Sequence, residues 1–189
     1  MKIINIEDKQ LLRKWAKKER SNLDMKVLSE ELVEKLIQTE EYKLAKNIMI
    51  FYPLKDEVNL LSLLDDSTKT FYLPKIDGED LLCCEFNKNT ELCESCFHTM
   101  EPTIPSFQPS PNNREQKAFP LDLVIVPALA ADKNNYRLGY GKGFYDRFLR
   151  VNKSNNFFFK TIVCIPKELI VETIFPNEYD YPVDLIITA

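Results

Sequence analysis

Apolar residues recur at helical spacing in two N-terminal segments. In residues 7–20, Leu11, Leu12 and Trp15 fall within about 100° of one another on a helical wheel, and Lys9, Arg13 and Arg20 line an adjacent face. A second helix is predicted from an N-cap at Asp24 to Gln38, with Met25, Leu28, Leu32 and Leu36 inward. The pattern then changes. Asn47–Leu54 is a near-continuous apolar run that reads as a buried strand, and Val58–Leu64 as a short helix. Thr70–Pro74 and Leu81–Phe86 read as strands, with Asp77-Gly78 in the turn before the latter. Residues 99–120 hold five prolines and read as a loop. Leu121–Val126, Lys160–Ile165 and Val183–Thr188 are further apolar strands, and helical character runs from about Lys142 to Val151. Alternating helices and buried strands predict an α/β fold: a three-layer, Rossmann-like domain with a mostly parallel sheet and helices on both faces.

The chain has 189 residues, 44% hydrophobic and 29% charged, the composition of a soluble globular protein. No apolar run approaches the roughly 18 residues of a membrane span. The first residues lack the pattern of a signal or transit peptide. Five cysteines, an odd number, read as reduced thiols, so a cytoplasmic protein is expected.

Charge and glycine are unevenly spread. Residues 9–20 carry a local charge of +5 in a chain whose total is −4. A basic patch on an acidic body suits a small anionic ligand, and no affinity for nucleic acid or membrane is expected. The chain has four glycines, where average usage would give about thirteen. Three of them are Gly139, Gly141 and Gly143, so backbone freedom or close approach of a ligand is needed there.

A strand, a loop, Gly-x-Gly-x-Gly and a helix in that order form an anion cradle, because backbone N–H groups and the helix dipole converge on one point. Arg137 and Lys142 flank the turn, and Asp146 stands where it could hold magnesium against phosphate oxygens. The pattern is neither a Walker A loop nor a dinucleotide fingerprint. The basic helix face could be the second half of a phosphate clamp if the two segments meet. Cys93-x-x-Cys96 has zinc-ligand spacing but lacks a second such pair. His98 is the only histidine and stands outside any recognisable nucleophile motif, so an enzyme of this sequence relies on positioning, metal and charge.

The segment RLGYGKGFYDRFL resembles the signature of the 5-formyltetrahydrofolate cyclo-ligase family, with Phe144 in place of its first tyrosine. Lys9-x-x-x-Arg13, FYPLKDEVN at residues 51–59, Glu101-Pro102, LDLVIVPAL and the closing NEYDYPVDLIIT resemble other pieces of the family in order. The similarity covers nearly the whole chain, implying one domain over residues 1–189. Two departures stand out: Ala131 and Asn-Asn-Tyr before Arg137, where the family often has Phe and Gly, and Tyr179, where it usually has His.

The resemblance implies ATP-dependent closure of 5-formyltetrahydrofolate to 5,10-methenyltetrahydrofolate, with ATP as co-substrate, Mg²⁺ as cofactor, and a monomeric enzyme. It places ATP on Lys9, Arg13, Arg137, Leu138, Gly139, Tyr140, Gly141, Lys142, Gly143, Phe144 and Tyr145. Tyr52 and Glu57 would contact the folate, as would Lys142 and Tyr140. Phe144 would either join them or pack in the core. Asp146 would bind magnesium, with Asp184 a second candidate and Asp180 its competitor. Two other readings compete: a non-catalytic ATP sensor, motivated by the altered loop at 131–136, and a zinc-stabilised interaction protein, motivated by the cysteine cluster.

Overall fold

A computed structural model describes residues 8–103, 121–154 and 157–189. The chain opens with α1 (Lys9–Arg20), capped by the Asp8 carboxylate, which accepts from Gln10 N–H at 2.6 Å. In α2 (Met25–Gln38) the Asp24 carboxylate accepts from the Lys26 and Val27 N–H groups, the N-cap read from the sequence. A short α3 (Glu40–Leu44) follows, capped by Thr39. Its five residues are too few to show periodicity, so the pattern did not reveal it.

The main sheet holds β1 (Asn47–Met49), β2 (Thr70–Asp77), β3 (Asp80–Phe86), β6 (Leu123–Ile125), β9 (Lys160–Ile165) and β11 (Leu185–Thr188) in the order β11-β9-β6-β1-β2-β3. Neighbours pair in parallel except β2 and β3, a hairpin turned at Gly78, whose φ is +60°. A second hairpin joins β4 (Leu92–Glu94) to β5 (Met100–Pro102), and β7 (Ala130–Asp132), β8 (Arg137–Leu138) and β10 (Ile170–Val171) form a small sheet. The last helix is α4 (Phe144–Ser154).

Alternation along the buried strands divides the core in two. Met49, Val124, Val163 and Ile165 pack with Leu12 and Ala16 of α1 and Phe148 and Leu149 of α4. Ile48, Ile50, Leu123, Ile125, Ile162 and Ile187 pack with Leu32 and Leu36 of α2 and Tyr42 of α3. Each fully buried Leu or Ile contributes about 2 kcal/mol through removal from water. The fold is thus α/β with a mostly parallel central sheet covered by helices.

Several elements differ from the sequence reading. The strand expected over Asn47–Leu54 ends at Met49, because the chain beyond turns out of the sheet. The helix expected at Val58–Leu64 is a 3-10 turn over Leu61–Asp65. Leu11 is half exposed, while Leu12 and Ala16 make the inward stripe of α1 with the partly buried Trp15. Of the proline-rich stretch, Met100–Pro102 forms β5, and residues 104–120 lie outside the described segments.

Candidate active site

In open parallel sheets, ligands bind beyond the carboxyl ends of the strands, where the strand order reverses. Here that point lies between β1 and β6. Phe51–Glu57 leaves the end of β1, and the chain beyond β6 runs through β7 and β8 into the glycine turn and α4. Both segments named by the sequence therefore arrive at one place.

The turn itself needs glycine twice. Gly141 has φ +99° and Gly143 φ +71°, conformations that side-chain-bearing residues rarely adopt. A Cβ on Gly141 would stand 3.3 Å from the Arg13 guanidinium carbon, so the turn also admits the basic helix at close range. Arg13 Nε donates to Gly139 O at 2.8 Å, Lys9 Nζ pairs with Asp180, and Arg20 Nη2 donates to the Tyr140 hydroxyl at 3.0 Å. The one-sided basic face of α1 lies along the glycine turn, a meeting that sequence spacing cannot establish.

Two cavities flank this turn. One, of about 310 Å³, is lined by Lys9, Arg13, Arg147 and Arg150 with Asn177, Tyr179 and Asp180. The other, of about 340 Å³, is lined by Phe51, Tyr52, Phe97, Met100, Phe144 and Tyr145 around the carboxylates of Glu57 and Glu101. Arg137, Gly139, Gly143 and Asp146 border both. Both volumes are of the size that holds a small-molecule ligand. A cationic cleft and an aromatic cleft sharing one wall can present two substrates to each other.

The shared wall is electrostatically organised. Arg137, 4% exposed, donates from Nη1 to Asp146 Oδ1 at 2.9 Å and to Tyr181 O at 3.1 Å. Its Nε and the buried Tyr145 hydroxyl have no hydrogen-bond partner among the described residues. Such orphan donors are costly unless a ligand satisfies them. Burial, with Glu57 adding, raises the Tyr145 pKa against the opposing pull of Arg137, so its hydroxyl stays a donor.

Asp146 Oδ1 also accepts from Tyr181 N–H at 3.1 Å, whereas no hydrogen bond engages Oδ2 among the described residues. That oxygen suits a magnesium ion, which is held by one or two carboxylates with phosphate oxygens and water completing the shell. No group of three or more His, Cys, Asp or Glu side chains among the described residues could hold a metal unaided.

In the aromatic cleft, Glu57 Oε2 accepts from Leu54 N–H at 2.9 Å and Oε1 from the Tyr140 hydroxyl. A carboxylate offers roughly four lone-pair sites, so each oxygen can receive another donor. Glu101 accepts from Ile76 N–H at 3.2 Å and from the Thr99 hydroxyl at 3.4 Å. Phe97 and Phe144 pack edge to face with centroids 5.6 Å apart, and Lys142 Nζ lies 5.4 Å from the Phe97 ring centre.

Comparison with known proteins decides the family. The model of the 5-formyltetrahydrofolate cyclo-ligase family matches residues 5–189. The chain belongs to the 5-formyltetrahydrofolate cyclo-ligase family. It is 28% identical to the 5-formyltetrahydrofolate cyclo-ligase of Mycoplasma genitalium, over 89% of this chain and 86% of that one. It is also 28% identical to the mouse 5-formyltetrahydrofolate cyclo-ligase, over 97% and 91%. The solved 5,10-methenyltetrahydrofolate synthetase of Aquifex aeolicus superposes with a TM-score of 0.77 at 29% identity, covering 95% of this chain and 89% of the other.

As a cyclo-ligase, the chain distributes its sequence-named residues unevenly. Lys9, Arg13, Arg137, Leu138, Gly139, Gly141 and Gly143 border the cationic cleft. Tyr140, Lys142, Phe144 and Tyr145 line the aromatic cleft with Tyr52 and Glu57, so Phe144 faces a cavity rather than the core. Asp184 lines neither cleft; it stands just before β11, where its carboxylate accepts from Thr161 N–H at 2.8 Å and from the Thr161 hydroxyl at 2.6 Å.

The departures from the cyclo-ligase pattern have local explanations. Within the Asn-Asn-Tyr stretch, Asn135 has φ +64°, and Asn is among the few residues that tolerate this region. Ala131 and Asp132 are fully buried in β7, and Asp132 accepts from Asn134, Tyr136 and Ile174 N–H groups. The altered loop therefore serves the scaffold. Tyr179 borders the cationic cleft, its ring centre 5.7 Å from the Arg150 guanidinium.

Sequence reasoning missed Glu101, Arg147 and Arg150 as lining residues, and placed Arg20 on the basic helix face without foreseeing that it is buried against the Tyr140 hydroxyl. The burial of Arg20 and Glu101 had no sequence signal beyond the basic helix face and the Glu-Pro pair. Cys93 and Cys96 are exposed free thiols near the β4–β5 turn.

Proposed function

We propose that this cyclo-ligase binds ATP in the cationic cleft and 5-formyltetrahydrofolate in the aromatic one, and joins their chemistry across Arg137 and the glycine turn. The observation that carries this reading is the pair of chemically opposite cavities sharing that wall. A formamide oxygen is a poor leaving group. Its attack on the γ-phosphorus, with ADP departing, converts it to a phosphate ester. The bridge nitrogen of the folate then attacks the formyl carbon, loses its proton, and expels phosphate carrying the former formyl oxygen. No protein nucleophile is required, which suits a chain with one histidine.

The protein's part is positioning and charge. Lys9, Arg13 and the backbone N–H groups of the turn would hold phosphate, and the N-terminus of α4 would add its dipole. Arg137 lies where the transferring group would pass and can stabilise its charge. Glu57 would accept the paired N–H donors of the pterin edge, with Tyr52 and Phe144 against its ring. Asp146 Oδ2 would hold magnesium, whose chemistry is to screen the phosphate charge. Asp184 is no part of this arrangement. The two-faced core supports the three-layer, Rossmann-like reading, and one chain lines both clefts, which suits a single-domain monomer. No helix among the described residues is long and apolar enough to cross a membrane, consistent with the cytoplasmic site we propose.

The test is direct. Purified protein is mixed with Mg·ATP and 5-formyltetrahydrofolate, and the near-ultraviolet absorbance of the methenyl product is followed. ATP-dependent growth of that band is the expected result. Its absence in folded protein that still binds ATP would leave nucleotide binding without the reaction and remove this reading.

A further inference from the structure

Arg20 ends α1 with its side chain 3% exposed. Burying a guanidinium costs several kcal/mol unless its partners compensate, so those partners are informative. Among the described residues, one is the Asp56 carboxylate, 3.5 Å from Nε, an ion pair that leaves Nε without a hydrogen bond. The other is the Tyr140 hydroxyl, which accepts from Nη2 at 3.0 Å and itself donates to Glu57 Oε1. A phenol has one proton to give, so the chain has a single direction: Arg20 to Tyr140 to Glu57. Burial, and then the Glu57 charge, raises the Tyr140 pKa despite the opposing pull of Arg20, which keeps that proton in place.

We propose that Arg20 is a positioning residue, holding the Glu57 carboxylate through the Tyr140 hydroxyl in the orientation that receives the folate. The proposal rests on the placement of folate in the aromatic cleft. With Leu54 N–H fixing Oε2 and Tyr140 fixing Oε1, the carboxylate cannot rotate without losing a bond, and one lone pair of each oxygen remains for the ligand. Arg20 touches no part of that cavity itself.

Three variants test this: Tyr140→Phe, Arg20→Met and the double variant. The readouts are KM for 5-formyltetrahydrofolate, kcat, and calorimetric dissociation constants for 5-formyltetrahydrofolate and for ATP. Each single variant is expected to raise folate KM and the folate dissociation constant about tenfold, the effect of one hydrogen bond to a charged group. ATP affinity should stay within about twofold. The double variant should be no worse than the weaker-binding single variant, because Arg20 acts only through Tyr140. Arg20→Lys, which keeps the charge and a donor, should recover part of the loss.

Unchanged folate binding in Tyr140→Phe would overturn the proposal, as would single-variant losses that multiply in the double variant. If Arg20→Met does not fold, Tyr140→Phe and Arg20→Lys decide by the same criterion. Absence of turnover in the wild-type enzyme would instead remove the functional reading, and the folate dissociation constants would still test the relay.

Discussion

The two ends of the central sheet put their carboxylates to different uses. At the amino ends, carboxylates tie neighbouring strands together, each through one oxygen. Asp122 accepts from the Lys46 and Asn47 N–H groups at 2.8 Å each, stitching β6 to the start of β1. Asp184 does the same for β9 and β11 through Thr161, with Lys153 3.6 Å away. At the carboxyl ends, the charged and phenolic groups line the two cavities instead. Among the described residues, Asp146 keeps one oxygen free of hydrogen bonds, Arg137 Nε and the Tyr145 hydroxyl have no partner, and Glu57 can take further donors. The lesson is that an acid's type and sequence neighbourhood say little about its role. Which end of the sheet it occupies decides whether it joins strands or lines a cavity.

The sharpest way to break this comparison is at Arg137. Arg137→Met should lower turnover by about 10²- to 10³-fold, the usual loss on removing a charge-stabilising donor, in protein whose circular dichroism remains native. Near-normal turnover would mean the shared wall is only a wall. A smaller effect is expected from Gly141→Ala. Its Cβ meets Arg13 in a left-handed backbone, so KM for ATP should rise about tenfold while the fold loses roughly 1 kcal/mol. A higher KM for folate with ATP unaffected would put the substrates in the opposite clefts.

At the other end of the sheet, Asp184→Ala should lower stability by about 1–2 kcal/mol, because two Thr161 donors lose their acceptor, and leave both KM values and the magnesium dependence unchanged. A changed magnesium requirement would restore Asp184 as a metal ligand. Its pH dependence adds a second check. Burial alone would raise the Asp184 pKa, but hydrogen bonds from Thr161, with Lys153 and Lys160 nearby, outweigh it and hold the pKa below the ordinary 3.8. A lowered folded-state pKa stabilises above the unfolded value and is lost as the pH falls through the folded one. The melting difference between wild type and Asp184→Ala should therefore be constant near neutrality and shrink progressively as the pH falls below about 4. The smallest effect is expected at the exposed thiols. Cys93→Ser with Cys96→Ser should change stability by less than about 0.5 kcal/mol, and elemental analysis should find no stoichiometric zinc.

Much of the fold was legible because it follows from local rules. Buried parallel strands read as apolar runs, and Asp24 announces α2 by capping it. What escaped was short or made by distant partners. α3 and β7, β8 and β10 hold two to five residues each, too few for any periodicity to emerge. The strand expected through Leu54 stops at Met49 although the apolar run continues, because Phe51 and Tyr52 leave the sheet to border the site instead. Hydrophobicity marks both destinations alike.

By itself, the sequence determined the α/β class, the glycine turn and its conformational demand, the basic face of α1, and membership of the cyclo-ligase family. Each is carried by residue type at short range: glycine permits a backbone angle, and spacing along a helix sets a face. Only the tertiary structure decided that α1 lies against the turn, that Lys142 and Tyr145 look into the aromatic cleft, and that Arg20 reaches Glu57 through Tyr140. It also set the Asp184 carboxylate on Thr161, outside the lining of both clefts. Those outcomes depend on crossings between strands distant in sequence. A carboxylate or guanidinium acquires its role from the dielectric and the donors that such crossings place around it.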